Sequence, residues 1–233
     1  METGSVVIES TLQPFSEGKP MMRQISYFLV LLLPIAGCGL ELPSTEPPTP
    51  QVLFIALDGT ASYEHLTESK KAAIRALEET PARSKVYVRW ITGNSAADAA
   101  AIASGHISEG ASNPYQSGDK EQAAKKRLAQ AIADATFPEA GQTDLEGLLW
   151  AAEQRFQNHP KLDHRLILAS DLAGNAGRDF PEVDLSGASV KVLGFEVDPD
   201  EPKREARWKN TFRQAGADTV SVHYLDEPLT QTQ

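Results

Sequence analysis

Carboxylate and hydroxyl oxygens follow directly on the most apolar stretch of the chain. Residues 52–57 are apolar, and Asp58, Thr60 and Ser62 come next at alternate positions. A continuous apolar run of this length predicts a strand buried on both faces, as in a parallel sheet covered by helices. Such sheets bind ligands at the carboxyl ends of their strands. The three side chains offer hard oxygen ligands, which suit magnesium, manganese or calcium.

Two later segments carry the same kinds of side chain. Thr143 begins a predicted helix, and the apolar run 166–169 leads to Ser170 and Asp171. Because the carboxyl ends of parallel strands lie at one edge of a sheet, we expect Thr143 and Asp171 to join the first three side chains. The sequence therefore predicts one site built from three separate segments.

In order and residue type, these segments resemble the metal-ion-dependent adhesion site of von Willebrand factor type A (vWA) domains, over roughly residues 51–225. The resemblance implies that Thr60, Ser62 and Thr143 are direct hydroxyl ligands of a metal ion. It implies that Asp58 and Asp171 act mostly through bound waters. Thr60 stands where serine is commoner in the family, and it keeps the hydroxyl.

The resemblance also implies a function, which is cation-dependent protein binding without catalysis. The ion would be Mg²⁺ or Mn²⁺, and the partner protein would offer it an acidic residue. Magnesium keeps several waters and takes few protein oxygens, in octahedral geometry at about 2.0–2.1 Å. Neutral hydroxyl ligands leave most of its charge uncompensated, while carboxylates that bind its waters hold it in place. An ion held in this way can accept a carboxylate from a partner.

Each of these residues also has a simpler interpretation. Asp58 and Ser62 could cap the first helix, since both residue types are favoured at helix N-termini. Thr143 and Glu146 have the spacing of a capping box. Asp171 could be a turn residue at the end of a strand.

A second family resemblance leads to a different function. Residues 54–60 resemble the first motif of haloacid-dehalogenase-type phosphatases, Asp-x-Asp-Gly-Thr, whose first aspartate is the nucleophile. That position is occupied here by Ala56, which has no nucleophilic atom. Asp58 could at best be the second acid of the motif, so a divergent metal-dependent phosphatase is the alternative to an adhesion domain.

Strand and helix patterns alternate along residues 51–226. The predicted strands are 51–57, 85–92, 165–170, 189–196 and 219–224, and the predicted helices are 65–79, 96–104, 119–135, 143–157 and 201–215. This alternation predicts an α/β fold with a doubly wound, mainly parallel sheet flanked by helices. The short antiparallel edge strand that vWA domains usually have after the second strand is not evident, because an alanine-rich helix is predicted in its place.

A bacterial lipoprotein signal is predicted at residues 21–37. Arg23 precedes the apolar segment 25–35, and residues 35–38, Ile-Ala-Gly-Cys, resemble a lipobox. The resemblance implies cleavage before Cys38 and lipid on that cysteine. The alternative is a transmembrane or buried helix, but the segment is shorter than the roughly 20 residues of a membrane span and Pro34 interrupts it.

The remaining regions follow from these assignments. Residues 1–20 are a disordered tail or an over-extended start, 38–50 a proline-rich tether, 51–226 a vWA-like domain, and 227–233 a C-terminal tail. We expect a lipid-anchored protein of the bacterial cell envelope that faces the periplasm or the exterior. Gly39 stands where an aspartate often signals retention in the inner membrane, which favours the outer membrane. A formal net charge of −10 disfavours nucleic acid as a partner, and one cysteine excludes an internal disulfide.

Overall fold

The computed structural model describes residues 48–108, 117–173, 182–196 and 202–224. The predicted signal segment, Cys38, most of the tether and the C-terminal tail lie outside the described residues. Within the described ranges, no helix is both long enough and apolar enough to cross a membrane.

Strands and helices follow one another much as the sequence predicts. The strands are β1 (Gln51–Asp58), β2 (Lys85–Ile91), β3 (Ala101–His106), β4 (Asp163–Ala169), β5 (Ala188–Phe195) and β6 (Thr219–Tyr224). The helices are α1 (Leu66–Glu78), α2 (Ser117–Asp134), α3 (Leu145–Gln157) and α4 (Arg204–Gln214), and a short 3₁₀ turn spans Asp98–Ala100.

All six strands form one sheet, in the order β3-β2-β1-β4-β5-β6. Every neighbouring pair is parallel except β2 and β3, which are antiparallel. The chain therefore winds outward from β1 in both directions, and the predicted doubly wound, mainly parallel α/β fold is confirmed. In this topology β1 and β4 are neighbours, so the residues that follow them lie side by side at one edge of the sheet.

The two faces of the sheet are covered by different helices. Phe54 and alternate residues of β1 pack with α3 and α4, including Phe212 of α4. Leu53 and Ile55 point to the other face, where they pack with α1 and α2, including Leu77 of α1. Burial of β1 on both sides explains its continuous apolar sequence. It also fixes the carboxyl end of β1 in a rigid setting.

The predicted helix at 96–104 is wrong, and the edge strand that was not evident from the sequence is present. After the 3₁₀ turn, β3 pairs with β2 from Lys85 opposite His106 to Arg89 opposite Ala101. Alanine favours helix, but this preference is weak and tertiary contacts override it. Gly105 allows the close packing of α2, since a Cβ there would lie 3.2 Å from a methyl carbon of Leu128.

A buried arginine holds the chain that leads into β3. The Arg89 Nε donates a hydrogen bond to the carbonyl of Ser95 at 3.1 Å, and its guanidinium also donates to the carbonyl of Ala97. These bonds satisfy backbone groups in the connection between the two strands. Arginine at position 89 thus supports a turn that short-range helix propensity does not predict.

Candidate metal centre

Asp58, the last residue of β1, is the centre of a buried hydrogen-bond network. Its side chain is only 2% exposed. The Oδ1 atom accepts hydrogen bonds from the Thr60 backbone N–H at 2.9 Å and from the Thr60 hydroxyl at 2.6 Å. The Oδ2 atom accepts one from the Ser170 hydroxyl at 2.5 Å. Asp58 therefore joins the loop after β1 to the end of the neighbouring strand β4.

Burial and a second acid act on the ionisation of Asp58. Burial raises its pKa, the nearby carboxylate of Asp171 raises it further, and the hydrogen bonds from Ser170 and Thr60 oppose the shift. Burial also raises the pKa of Tyr63, and the charges of Asp58, Asp171 and Glu196 add to this effect. The sheet edge thus collects negative charge in a setting that disfavours it. A bound cation would relieve that repulsion.

The two hydroxyls after β1 lie close together. The Thr60 Oγ1 and Ser62 Oγ atoms are 3.4 Å apart. Thr60 is buried and Ser62 is exposed, so the pair leads from the Asp58 network to the surface. Because the Thr60 hydroxyl donates its hydrogen bond to Asp58, its oxygen lone pairs point away from that carboxylate and can face a cation. Adjacent oxygens of an octahedral magnesium site are about 3 Å apart, so a small approach of these two atoms would suit the ion.

The loop that carries Thr143 is held against the loop after β1. The Ala140 N–H donates to the Gly59 carbonyl at 2.8 Å, and the Ala61 N–H donates to the Ala140 carbonyl at 3.0 Å. Gly59 permits this close approach, since a Cβ there would lie 2.5 Å from Pro138 Cγ. Thr143 is half-buried, and its hydroxyl makes no hydrogen bond with any part of the chain that the structure describes.

Asp171 follows β4 beside the Asp58 network. Its Oδ1 accepts a hydrogen bond from the Ala173 N–H at 2.8 Å, so it does act as a turn residue at the end of the strand. The next residue, Leu172, has a positive φ of 54°, which turns the chain sharply here. Asp171 is half-buried and close enough to raise the pKa of Asp58. The structure thus brings it to the same edge as the first three predicted residues.

Two of the capping interpretations are wrong. The N-cap of α1 is His65, without a side-chain capping bond, so neither Asp58 nor Ser62 caps this helix. The N-cap of α3 is Asp144 rather than Thr143. The Asp144 Oδ1 accepts from the Gly147 N–H at 2.8 Å, and its Oδ2 accepts from the Ser95 N–H at 3.0 Å.

This assignment of the cap separates the roles of two adjacent residues. We expect Asp144→Ala to lower the free energy of unfolding by about 1–2 kcal/mol, because it removes the cap and the Ser95 contact. Thr143→Ala should change it by less than about 0.5 kcal/mol, since that hydroxyl bonds to none of the described residues. Denaturant unfolding of the two variants, followed by circular dichroism, measures both values. Equal losses of stability would restore Thr143 as a cap.

Ser170 is a member of the network that the sequence did not single out. It is fully buried, and its hydroxyl donates to Asp58 while accepting from the Leu172 N–H at 3.0 Å. The available signal was its place at the end of an apolar strand, directly before an acid. His65, which follows the first loop, contacts Glu196 at 3.1 Å rather than any of the five predicted residues.

The charge of the candidate set is low for a metal centre. Across the described ranges, no group of three or more histidine, cysteine, aspartate or glutamate side chains could hold a metal ion. The predicted set instead combines two carboxylates with three hydroxyls. Oxygen donors of this kind fit a hard divalent cation and leave it incompletely neutralised.

Comparison with known proteins gives similarity at the level of structure. No protein-family model and no curated protein sequence matches the chain. Proximal thread matrix protein 1 (PTMP1) from the mussel byssus, solved with a zinc-occupied MIDAS motif, has a TM-score of 0.49 at 14% identity, over 77% of this chain and 45% of that one. A von Willebrand factor type A structure from Catenulispora acidiphila has a TM-score of 0.43 at 13% identity, over 78% and 40%.

A conserved hypothetical protein, BatB from Bacteroides thetaiotaomicron, has a TM-score of 0.43 at 12% identity, over 75% of this chain and 90% of that one. This chain thus spans less than half the length of PTMP1 and of the Catenulispora protein. Scores below 0.5 establish no relationship, so the assignment of a site depends on the residues of this chain.

Proposed function

We propose that this protein is a lipid-anchored bacterial envelope protein whose vWA-like domain binds a partner protein through a divalent cation. The observation that carries the proposal is the network at Asp58. One buried carboxylate fixes the Thr60 hydroxyl and joins the end of β4, while Thr60 and Ser62 lead to the surface. A hydroxyl that is oriented by a buried acid and lies beside an exposed hydroxyl suits ligand binding better than it suits a purely structural turn.

Each residue of the set would have a distinct part. Thr60, Ser62 and Thr143 would hold Mg²⁺ or Mn²⁺ directly, and Asp58 and Asp171 would hold it through bound waters. When bound, the ion supplies an electrophilic position that a carboxylate of the partner can fill. The chain's own contribution is orientation. Asp58 keeps the Thr60 hydroxyl proton turned inward, and the contacts of Ala140 keep the Thr143 loop beside it.

The anchor rests on the sequence before the described domain. Residues 21–37 have the features of a lipoprotein signal, and Cys38 would carry the lipid. Several acyl chains hold a protein on a membrane stably, whereas one chain binds marginally. The domain would then face the periplasm or the exterior, with the outer membrane favoured by Gly39.

Purification from the native envelope tests the proposal. Full-length protein extracted in detergent with magnesium should retain a partner, and a chelator should release it. Thr60→Val keeps the shape of the side chain and removes the hydroxyl, so it should retain much less partner. Thr67→Val makes the same change at an exposed position of α1 and serves as the matched control. Retention that is unchanged by chelator and by Thr60→Val would contradict cation-dependent binding.

We propose no catalytic activity for this site. The position of the phosphatase nucleophile is Ala56, which is fully buried in β1. We expect the full-length protein to hydrolyse p-nitrophenyl phosphate no faster than buffer, with or without magnesium. A turnover that disappears in Asp58→Asn would support the phosphatase alternative instead.

A further inference from the structure

On the face that carries α1 and α2, no helix of the described residues covers one part of the sheet. Parallel sheets are normally covered by helices on both faces. Here Thr219 and Ser221 of β6 are exposed. A groove of about 770 Å³ runs between α1 and the open part of β4, β5 and β6. The groove shares no residue with the candidate metal centre.

The floor of this groove carries polar as well as apolar side chains. It is lined by alternate residues of the three strands, among them Arg165, Ser189, Lys191 and Ser221. Val192 and its neighbours on the opposite face of β5 are buried in the core. The alternation of polar and apolar residues is typical of strands with one face in contact with water or with a polar partner. The wall on α1 includes the small apolar residues Ala72 and Ala76.

Basic side chains dominate the charge of the groove. Arg75, Arg165 and Lys191 line it, with Glu79 as the carboxylate among the lining residues. This local excess of positive charge occurs in a chain whose formal net charge is −10. Arg165 and Lys191 donate no side-chain hydrogen bond to the described part of the chain. Burial lowers the pKa of Lys191, and the charge of Arg165 lowers it further.

We propose that this groove binds an acidic peptide segment of a partner protein, in an extended conformation. Arg165 and Lys191 lie on neighbouring strands at diagonal positions, since Arg165 is opposite Ser189 and Lys191 is opposite Ile167. Alternate side chains of an extended chain point to one face about 7 Å apart, so two carboxylates with this spacing can reach both. Its small apolar side chains would pack on Ala72 and Ala76. The groove is open at the side and too large for one small anion, which favours a chain. It forms a second binding surface, beyond the proposed metal-dependent one.

Fluorescence anisotropy with a designed peptide tests this proposal. The probe is a labelled nonapeptide that alternates glutamate with alanine and leucine, and the control probe has glutamine in place of glutamate. Full-length protein in detergent should bind the acidic probe and not the neutral one, and added salt should weaken binding. The absence of binding at millimolar peptide, or equal binding of both probes, would overturn the proposal.

Three variants locate the interaction. Arg165→Gln together with Lys191→Gln should reduce affinity about tenfold or more, because two charge-assisted contacts are lost. Lys126→Gln removes a charge from an exposed position of α2 and should leave affinity unchanged. Ser221→Trp fills the groove without changing its charge and should also reduce binding. This variant tests the groove independently if the double variant folds poorly. Unchanged affinity in both groove variants would overturn the proposal.

Two other occupants of the groove would each give a different experimental result. If the chain's own residues 225–233 fill the groove, a chain that ends at Tyr224 should bind the probe much more tightly than the full-length protein. If a second copy fills it, sedimentation velocity should show a dimer that the Arg165→Gln, Lys191→Gln variant dissociates. Either result would replace the partner peptide with that occupant.

Discussion

Replacing Asp58 with alanine should weaken the binding of magnesium or manganese about 10- to 100-fold, the usual cost of losing a group that orients metal ligands. The reason lies in the bonds that Asp58 accepts. Without it, the Thr60 hydroxyl loses the acceptor that turns its proton inward, and the loop after β1 loses its link to Ser170. We expect Asp171→Ala to have a similar effect, because it removes the second carboxylate of the site.

Calorimetric titration of the full-length protein with each metal measures this effect. Asp163→Asn is the matched control, since Asp163 is an exposed residue at the opposite end of the same strand that Asp171 follows. Thermal unfolding of each variant separates loss of binding from loss of fold. Asp171→Ala should separate the two effects best, because the single described hydrogen bond of Asp171 lies in an exposed turn and its loss should cost little stability. Asp58→Ala should lower the free energy of unfolding by about 1–3 kcal/mol, because it leaves buried hydroxyls without a hydrogen-bond acceptor.

One calorimetric result would contradict the proposed metal site. Identical weak, non-saturating heats from the wild type, Asp58→Ala and Asp171→Ala would mean that the five residues serve only the turns of the sheet edge. The hydrogen bonds of Asp58 would then be purely structural. The proposed binding of a peptide in the groove beside α1 would be unaffected, because the groove residues belong to a different part of the sheet.

The sheet and the polar edge that carries the candidate site were predictable because they depend on strong local patterns. A strand that is buried on both faces must be apolar throughout, so β1 and the end of β4 were evident in the sequence. The polar residues that follow, such as Asp58 and Asp171, had to lie at one edge once both strands were parallel. Alternating elements led to the same sheet, since parallel strands need a helical crossover.

The edge strand β3 was not predictable in the same way. Its sequence is rich in alanine and includes Gly105, and neither residue favours a strand. Its conformation is set by pairing with β2 and by the contacts of Arg89 with the preceding turn. These interactions join residues that a short sequence window does not connect.

The details of the site also depended on distant contacts. Ser170 is separated from Asp58 by 112 positions, and only the register of β4 against β1 brings them together. The cap of α3 was placed one residue too early because Thr143 and Asp144 are both good capping residues. The Ser95 N–H, which comes from the β2–β3 connection, also bonds to Asp144. That shift leaves the Thr143 hydroxyl without a hydrogen bond to any described residue.

Replacing Cys38 with serine should abolish lipid attachment and leave an uncleaved precursor. Only the cysteine thiol can form the thioether through which a lipoprotein carries diacylglycerol, so the substitution should abolish lipid attachment completely. Intact-mass spectrometry of the protein from the membrane fraction gives the direct measurement. The wild type should begin at Cys38 with several acyl chains, and Cys38→Ser should retain residues that precede position 38.

The matched control is Ser44→Ala, a change within the predicted tether that should leave both processing and lipid unaltered. Membrane fractionation adds a second measurement. Loss of the acyl chains should weaken membrane attachment, unless the retained apolar segment 25–35 of the uncleaved precursor holds the protein on the membrane. An unmodified Cys38 within a continuous N-terminal peptide of the wild type would contradict the lipoprotein assignment. The cation-binding proposal would survive that result, because the contacts of Asp58, Thr60 and Ser170 lie entirely within the described domain.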